Sequence, residues 1–171
     1  MKQLILGGAR SGKSQLAESL AQNSTKTVIY IATATANDDE MQQRIEHHQQ
    51  QRPQHWQTVE TPLALSETLT QYANDNTCLL VDCLTLWVSN LLCGDYDCQS
   101  AQDELLSTLK ELPGDIIFVS NEVGLGVIPM GSLSRRFVDD AGRLHQALAA
   151  QCERVIFTAA GLPLILKGEA L

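Results

Sequence analysis

The sequence predicts an α/β three-layer sandwich on a mostly parallel central sheet. Three observations carry that expectation: apolar runs rich in Val and Ile recur along the chain, segments with apolar residues at helical spacing separate them, and a glycine-rich loop joins the first run to the first such segment. The runs cover residues 4–6, 28–32, 78–81, 116–120 and 155–159, and continuous rather than alternating apolar character is what strands buried on both faces require. The helical spacing falls at 13–22, 38–50, 63–73, 84–92, 101–112 and 133–151, giving repeated β-α units. Leu164, Ile165 and Leu166 add a short last strand, antiparallel at an edge, and Gly94-Asp95-Tyr96-Asp97 reads as an exposed turn between two helices. With 171 residues and no internal repeat or low-complexity linker, residues 1–171 are expected to form a single nucleotide-binding domain.

The nucleotide is read from the loop itself. Gly7-Gly8-Ala9-Arg10-Ser11-Gly12-Lys13-Ser14 fits G-x-x-x-x-G-K-[ST] without a mismatch and follows directly on an apolar run. Glycines let backbone N–H groups turn inward around a phosphate, Lys13 can reach the outer phosphates, and the Ser14 hydroxyl can join the shell of Mg²⁺. In an open parallel sheet, ligands gather beyond the carboxyl ends of the strands. The residues there are polar: Thr33, Ala34 and Thr35 after the second run, Asp82 after the third, Asn121 and Glu122 after the fourth.

Composition narrows the partners. Twelve basic against twenty acidic residues give a net charge of −8, which repels a nucleic-acid backbone or an anionic membrane surface. No run of about 18 apolar residues is present, and no signal-peptide pattern opens the chain, so a cytoplasmic protein is expected. Cys78, Cys83, Cys93, Cys98 and Cys152 are odd in number and form no C-x-x-C pair, which argues for buried or incidental thiols. Small molecules and further copies of the chain are the partners left.

Four further segments carry candidate chemistry. Leu79-Leu80-Val81-Asp82 has the form of an apolar strand ending in a metal-binding carboxylate, although an Asp before a helix also suits an N-cap. The helix expected over 38–50 opens with acids and presents His47 and His48, which as neighbours point about 100° apart, so one of them enters any given site. Periodicity does not choose between them, and both are compatible with a solvated surface; the functional alternative is an imidazole that attacks a nucleotide phosphorus. Arg52-Pro53, Trp56, Thr58 and Glu60 form a punctuated stretch in which proline ends the helix, and Glu60 suits either a nucleotide edge or solvent. Residues 121–129 leave the fourth strand through Gly124 and Gly126 to Pro129, and Arg135, Arg136 and Arg143 follow at roughly helical spacing, suited equally to solvent or substrate.

Taken together these motifs resemble the bifunctional adenosylcobinamide kinase/adenosylcobinamide-phosphate guanylyltransferase family of cobalamin biosynthesis. The resemblance spans nearly the whole chain: the loop 7–14, Tyr30-Ile31-Ala32-Thr33, Asp38-Asp39-Glu40-Met41, Arg44-Ile45-x-His47-His48, Arg52-Pro53-x-x-Trp56-x-Thr58-x-Glu60, Asn121-Glu122-Val123-Gly124-x-Gly126-x-x-Pro129, and Phe137-x-Asp139-x-x-Gly142-Arg143. It implies a RecA-like P-loop NTPase fold, a homotrimer, and two reactions: phosphorylation of adenosylcobinamide by ATP or GTP, then transfer of GMP from GTP to the new phosphate. It also implies His47 as the guanylylated histidine, and nucleotide contacts at Gly7, Gly8, Ala9, Arg10, Ser11, Gly12, Lys13, Ser14, Ala32, Thr33, Ala34, His48, Gln49, Gln50, Gln51, Arg52, Glu60 and Asp82, with Mg²⁺ held by Ser14 and Asp82. The chain departs from the family pattern at Gln51, where glycine is frequent, at Asp82, where some relatives carry Glu, and at His145, where Asn is common. Two alternatives stand beside this reading. One is a simple small-molecule P-loop kinase in which only the γ-phosphate moves, the other a GTP-dependent switch or assembly module.

Overall fold

The computed structural model describes residues 1–34 and 53–171. The helix expected over 38–50, and with it His47, His48, Gln49, Gln50, Gln51 and Arg52, lies outside the described residues. In chain order the elements are β1 (Lys2–Gly7), α1 (Lys13–Asn23), β2 (Thr27–Ala32), β3 (Gln57–Glu60), α2 (Leu65–Tyr72), β4 (Thr77–Asp82), α3 (Leu84–Cys93), α4 (Cys98–Glu111), β5 (Asp115–Asn121), α5 (Ser132–Gln151), β6 (Arg154–Ala159) and β7 (Leu162–Lys167).

The strands form one sheet in the order β3-β2-β4-β5-β1-β6-β7, parallel throughout except for the β6–β7 hairpin. Its two faces follow from alternation along each strand. Leu4, Leu6, Ile29, Ile31, Leu79, Val81, Ile116 and Phe118 point to one side, where Leu69 of α2, Trp87 and Leu91 of α3, Leu105 and Leu109 of α4, and Leu144 and Leu148 of α5 cover them. Ile5, Val28, Tyr30, Leu80, Ile117, Val119 and Ile156 point to the other and meet Ala17 and Ala21 of α1. Small residues at those helix positions let α1 lie close against the sheet, and that closeness carries its N-terminus to the end of β1. The expected three-layer α/β architecture is therefore present, including the antiparallel last strand.

Two elements differ from the expectation. Residues 57–60, read as part of a punctuated stretch, form an edge strand: Ile29 to Ala32 pair in parallel with Gln57 to Glu60. Its side chains are mostly exposed, so the burial pattern that marks the central strands is missing, and the β-branched Thr58 and Val59 are the only local sign. Helix α4 starts at Cys98 rather than at 101, because the Asp97 carboxylate accepts the Ser100 N–H at 3.1 Å and caps it. The cysteines are free thiols: Cys78, Cys83, Cys98 and Cys152 are buried and Cys93 is exposed.

Candidate active site

Because every strand from β3 to β6 runs the same way, their carboxyl ends form one edge. Gly7 of β1 pairs with Asn121 of β5 and Thr158 of β6, while Ala32 of β2 pairs with Glu60 of β3 and Asp82 of β4. The chain leaves β1 for α1 and returns to strands on one side of it, whereas β6 lies on the other. The crevice where topology switches thus opens at the end of β1.

Residues 7–14 fill that position as a tight loop into α1. Gly7 has no room for a side chain: a Cβ there would lie 2.4 Å from the Thr158 carbonyl oxygen. Gly12 sits at φ 94°, a left-handed conformation that side chains disfavour. It stands at the N-cap of α1 with no side chain capping the helix, and no acidic residue occupies the first turn. The first N–H groups of α1 are thereby left to an external anion, which the helix dipole also favours. The loop is braced from within and without, by Ser11 N–H on the Gly8 carbonyl (3.3 Å) and by Gly161 N–H on the Ser11 carbonyl (2.9 Å). Lys13 is only 8% exposed, and its Nζ donates to the Gly8 carbonyl at 3.2 Å, so the ammonium lies folded over the loop it serves. The Ser11 hydroxyl is buried without a partner among the described residues, an orphan that a phosphate oxygen can satisfy.

Asp82 ends β4, separated from the phosphate loop by β5. Tyr30 Oη donates to its Oδ2 at 3.0 Å, which fixes the carboxylate at the sheet edge. Asp82 does not cap the next helix. That position belongs to Cys83, whose side chain makes no capping bond, so the N-cap alternative is set aside. Asp82 and the Ser14 hydroxyl are oxygen donors of the kind Mg²⁺ takes one or two at a time, with phosphate and water completing its shell. Among the described residues, no group of three or more His, Cys, Asp or Glu side chains gathers as a full metal cage.

Among the described residues, Thr33, Ala32, Ala34 and Glu60 fall at the same edge, and the three arginines lie on α5. Thr33 is fully buried, and its hydroxyl donates to the Cys83 carbonyl (2.7 Å) while accepting the Cys83 N–H (3.0 Å). Its side chain therefore ties the end of β2 to the end of β4, and Asn90 Nδ2 adds a bond to the Thr33 carbonyl at 2.8 Å. Ala32 and Ala34 flank it, partly exposed, and Glu60 is exposed one strand further out. Of the three arginines, Arg136 and Arg143 both turn onto Asp140 of the same helix, and Arg135 donates to the Pro129 carbonyl at 3.1 Å.

A buried polar chain was not foreseen. Thr85 of α3, Ser120 of β5 and His145 of α5 are linked, with Thr85 Oγ1 3.1 Å from Ser120 Oγ and Ser120 Oγ 2.7 Å from His145 Nε2. Its traces in the sequence are His145, which departs from the family pattern, and two hydroxyls, Thr85 and Ser120, among apolar residues.

A phosphate loop on the first strand, a second strand between it and the one that ends in Asp82, and an uncapped helix over the loop define a P-loop nucleotide-binding domain of the RecA-like kind. Solved structures agree on the fold. The chain aligns over 99% of its length, and 87% of the other's, with a Pyrococcus horikoshii protein from the structural study of Project ID PH0250 (TM-score 0.59, 10% identity). It also aligns over 92% of its length with 41% of the assembled ATPase EscN of the enteropathogenic Escherichia coli type III secretion system (TM-score 0.57, 19% identity).

Sequence comparison is more specific. The chain is 62% identical over 173 residues to the bifunctional adenosylcobalamin biosynthesis protein CobP of Pseudomonas aeruginosa, with both chains fully covered. It is 41% identical to the bifunctional adenosylcobalamin biosynthesis protein CobU of Escherichia coli K12, over 96% of this chain and 98% of that one. The family model described as cobinamide kinase / cobinamide phosphate guanyltransferase matches residues 3–166, and the chain belongs to that family.

Proposed function

We propose that this enzyme phosphorylates the hydroxyl of adenosylcobinamide with ATP or GTP and then transfers GMP from GTP to that phosphate through a guanylyl-histidine at His47. One observation carries the reading: a phosphate loop with Lys13 folded inside it, at the switch point of the sheet, in a chain that the family model covers from residue 3 to 166. Gly7, Gly8, Ala9, Arg10, Ser11, Gly12 and the first turn of α1 hold the phosphates through backbone N–H groups. Lys13 stabilises negative charge that develops on the leaving group in either reaction. Ser14 Oγ and the Asp82 carboxylate are the groups that would hold Mg²⁺, which when bound supplies positive charge beside the phosphate oxygens. Ala32, Thr33 and Ala34 border the nucleotide through their backbone, and His48, Gln49, Gln50, Gln51, Arg52 and Glu60 complete its surroundings by the family resemblance.

The second reaction balances as two displacements. A His47 ring nitrogen bonds to the α-phosphorus as the bond from the α-phosphorus to the bridging oxygen breaks, and pyrophosphate departs. A phosphate oxygen of the substrate then attacks the same phosphorus and the P–N bond breaks, returning the histidine. The reading includes a homotrimer, carried by the family resemblance, and the cytoplasmic setting expected from the sequence; no helix among the described residues is long and apolar enough to cross a membrane. Product analysis tests it. With adenosylcobinamide and GTP, the account expects nucleoside diphosphate first and pyrophosphate second, in equal amounts at completion. Diphosphate alone would reduce the protein to a small-molecule kinase, and neither product would leave a nucleotide-binding module.

A further inference from the structure

The polar chain beneath β5 leads from His145 to Glu122, next to the phosphate loop. Asn121 N–H donates to Thr85 Oγ1 at 2.6 Å, and that hydroxyl shares a hydrogen bond with Ser120 Oγ in which either oxygen can donate. Ser120 Oγ in turn lies 2.7 Å from His145 Nε2, a bond whose direction follows the imidazole tautomer. The other ring nitrogen, Nδ1, is buried without a hydrogen-bond partner among the described residues and lies 3.7 Å from Glu122 Oε2. Burial pushes the imidazole pKa down against the opposing pull of Glu122, which favours a neutral ring.

Glu122 is placed by three further constraints. Its N–H donates to the Gly7 carbonyl at 3.0 Å, which ties it to the first residue of the phosphate loop. Its Oε1 accepts the Gly124 N–H at 2.5 Å. It also stands three residues past Val119, the partner of Asp82, just beyond the end of the strand between the loop and Asp82. Glu122, its side chain 22% exposed, thus stands beside the phosphate loop at the carboxyl edge of the sheet, where ligands of this architecture gather.

We propose that Glu122 accepts the proton of the substrate hydroxyl in the phosphorylation step, and that His145 is the positioning residue that aims it. The inference rests on the kinase half of the reading above. As the hydroxyl oxygen bonds to the γ-phosphorus and the bond from that phosphorus to the bridging oxygen breaks, the hydroxyl proton passes to a Glu122 oxygen and the nucleoside diphosphate leaves. Guanylyl transfer has an ionised phosphate as its nucleophile and needs no such base. Glu122 thus separates the two reactions of one site.

The test compares the full-length chain with Glu122→Gln, His145→Ala and His145→Gln in two assays: diphosphate release with adenosylcobinamide, and pyrophosphate release with adenosylcobinamide phosphate supplied. Glu122→Gln, isosteric and partly exposed, is expected to lower kcat of phosphorylation at least a hundredfold, with nucleotide KM within twofold and guanylyl transfer within threefold. His145→Ala is expected to lower the same kcat about tenfold. His145→Gln, which keeps a hydrogen-bonding group for Ser120, should recover most of it, and Glu122→Gln/His145→Ala should be no slower than Glu122→Gln. Unchanged phosphorylation in Glu122→Gln overturns the proposal, as does an equal loss of both reactions in either single variant. A wild-type chain that releases no diphosphate overturns the kinase reading itself.

Discussion

Lys13 spends its charge on the loop it belongs to. A buried ammonium facing the Gly8 carbonyl is held where the outer phosphates of a nucleotide would take over that bond. Lys13→Ala is expected to cut turnover by about 10²–10³, the range seen when one preorganised group that stabilises transition-state charge is lost. Steady-state kinetics at saturating nucleotide check this. Tyr30 acts at one remove, through its bond to Asp82. Tyr30→Phe keeps the ring and deletes that bond to a carboxylate, so urea denaturation should show a loss of about 1.5 kcal/mol. The loop could be read directly from the sequence because eight consecutive residues carry it. The Tyr30–Asp82 and Ser120–His145 contacts could not, since they join residues 52 and 25 positions apart that only the sheet order brings together.

At the level of elements, the phosphate loop is shaped as much by the β6–β7 hairpin as by its own glycines. Thr158 closes against Gly7, and Gly161 N–H holds the Ser11 carbonyl. Gly7→Ala should therefore destabilise the fold by about 1–3 kcal/mol, as overpacking does, and should weaken nucleotide binding beyond what the lost stability explains. Thermal melts with and without GTP measure both effects. If the nucleotide raises the Tm of the variant as much as that of the wild type, the hairpin does not shape the loop. Nothing in residues 160–161 marks them as a brace, because their role is set by a neighbouring strand and not by their own chemistry. Similarly, β3 escapes recognition because a four-residue edge strand with exposed side chains lacks the apolar run that betrays β2, β4 and β5.

Across the whole molecule, the parallel sheet gathers the loop, Asp82, Asn121 and Glu122 on one edge, and a core built from four helices on one face holds His145 beneath it. Burying that imidazole links the stability of the domain to pH. Its folded pKa lies below the ordinary 6.5, with burial the main cause, so the unfolded chain binds the proton more readily. Stability is fully present above about pH 6.5 and falls as pH drops below it toward the folded value. Denaturation midpoints between pH 8 and 5 should show this slope, and His145→Gln should flatten it. The α/β class and most strands were legible because both depend on local apolar pattern. The order of strands was not, since β2, β4, β5 and β1 are alike in composition and nothing local says which two stand between the others. The histidine proposed to react, His47, is the converse case, offered by the family resemblance and lying outside the described residues.

The central claim, that one phosphate loop serves cleavage at both the γ- and the α-phosphorus, is tested most directly by mass spectrometry of the intact and digested protein after incubation with GTP and Mg²⁺. The account predicts a single acid-labile, alkali-stable GMP adduct on the peptide that contains His47, absent from His47→Ala and formed with release of pyrophosphate. No adduct in the wild type, or an undiminished one in His47→Ala, would contradict it.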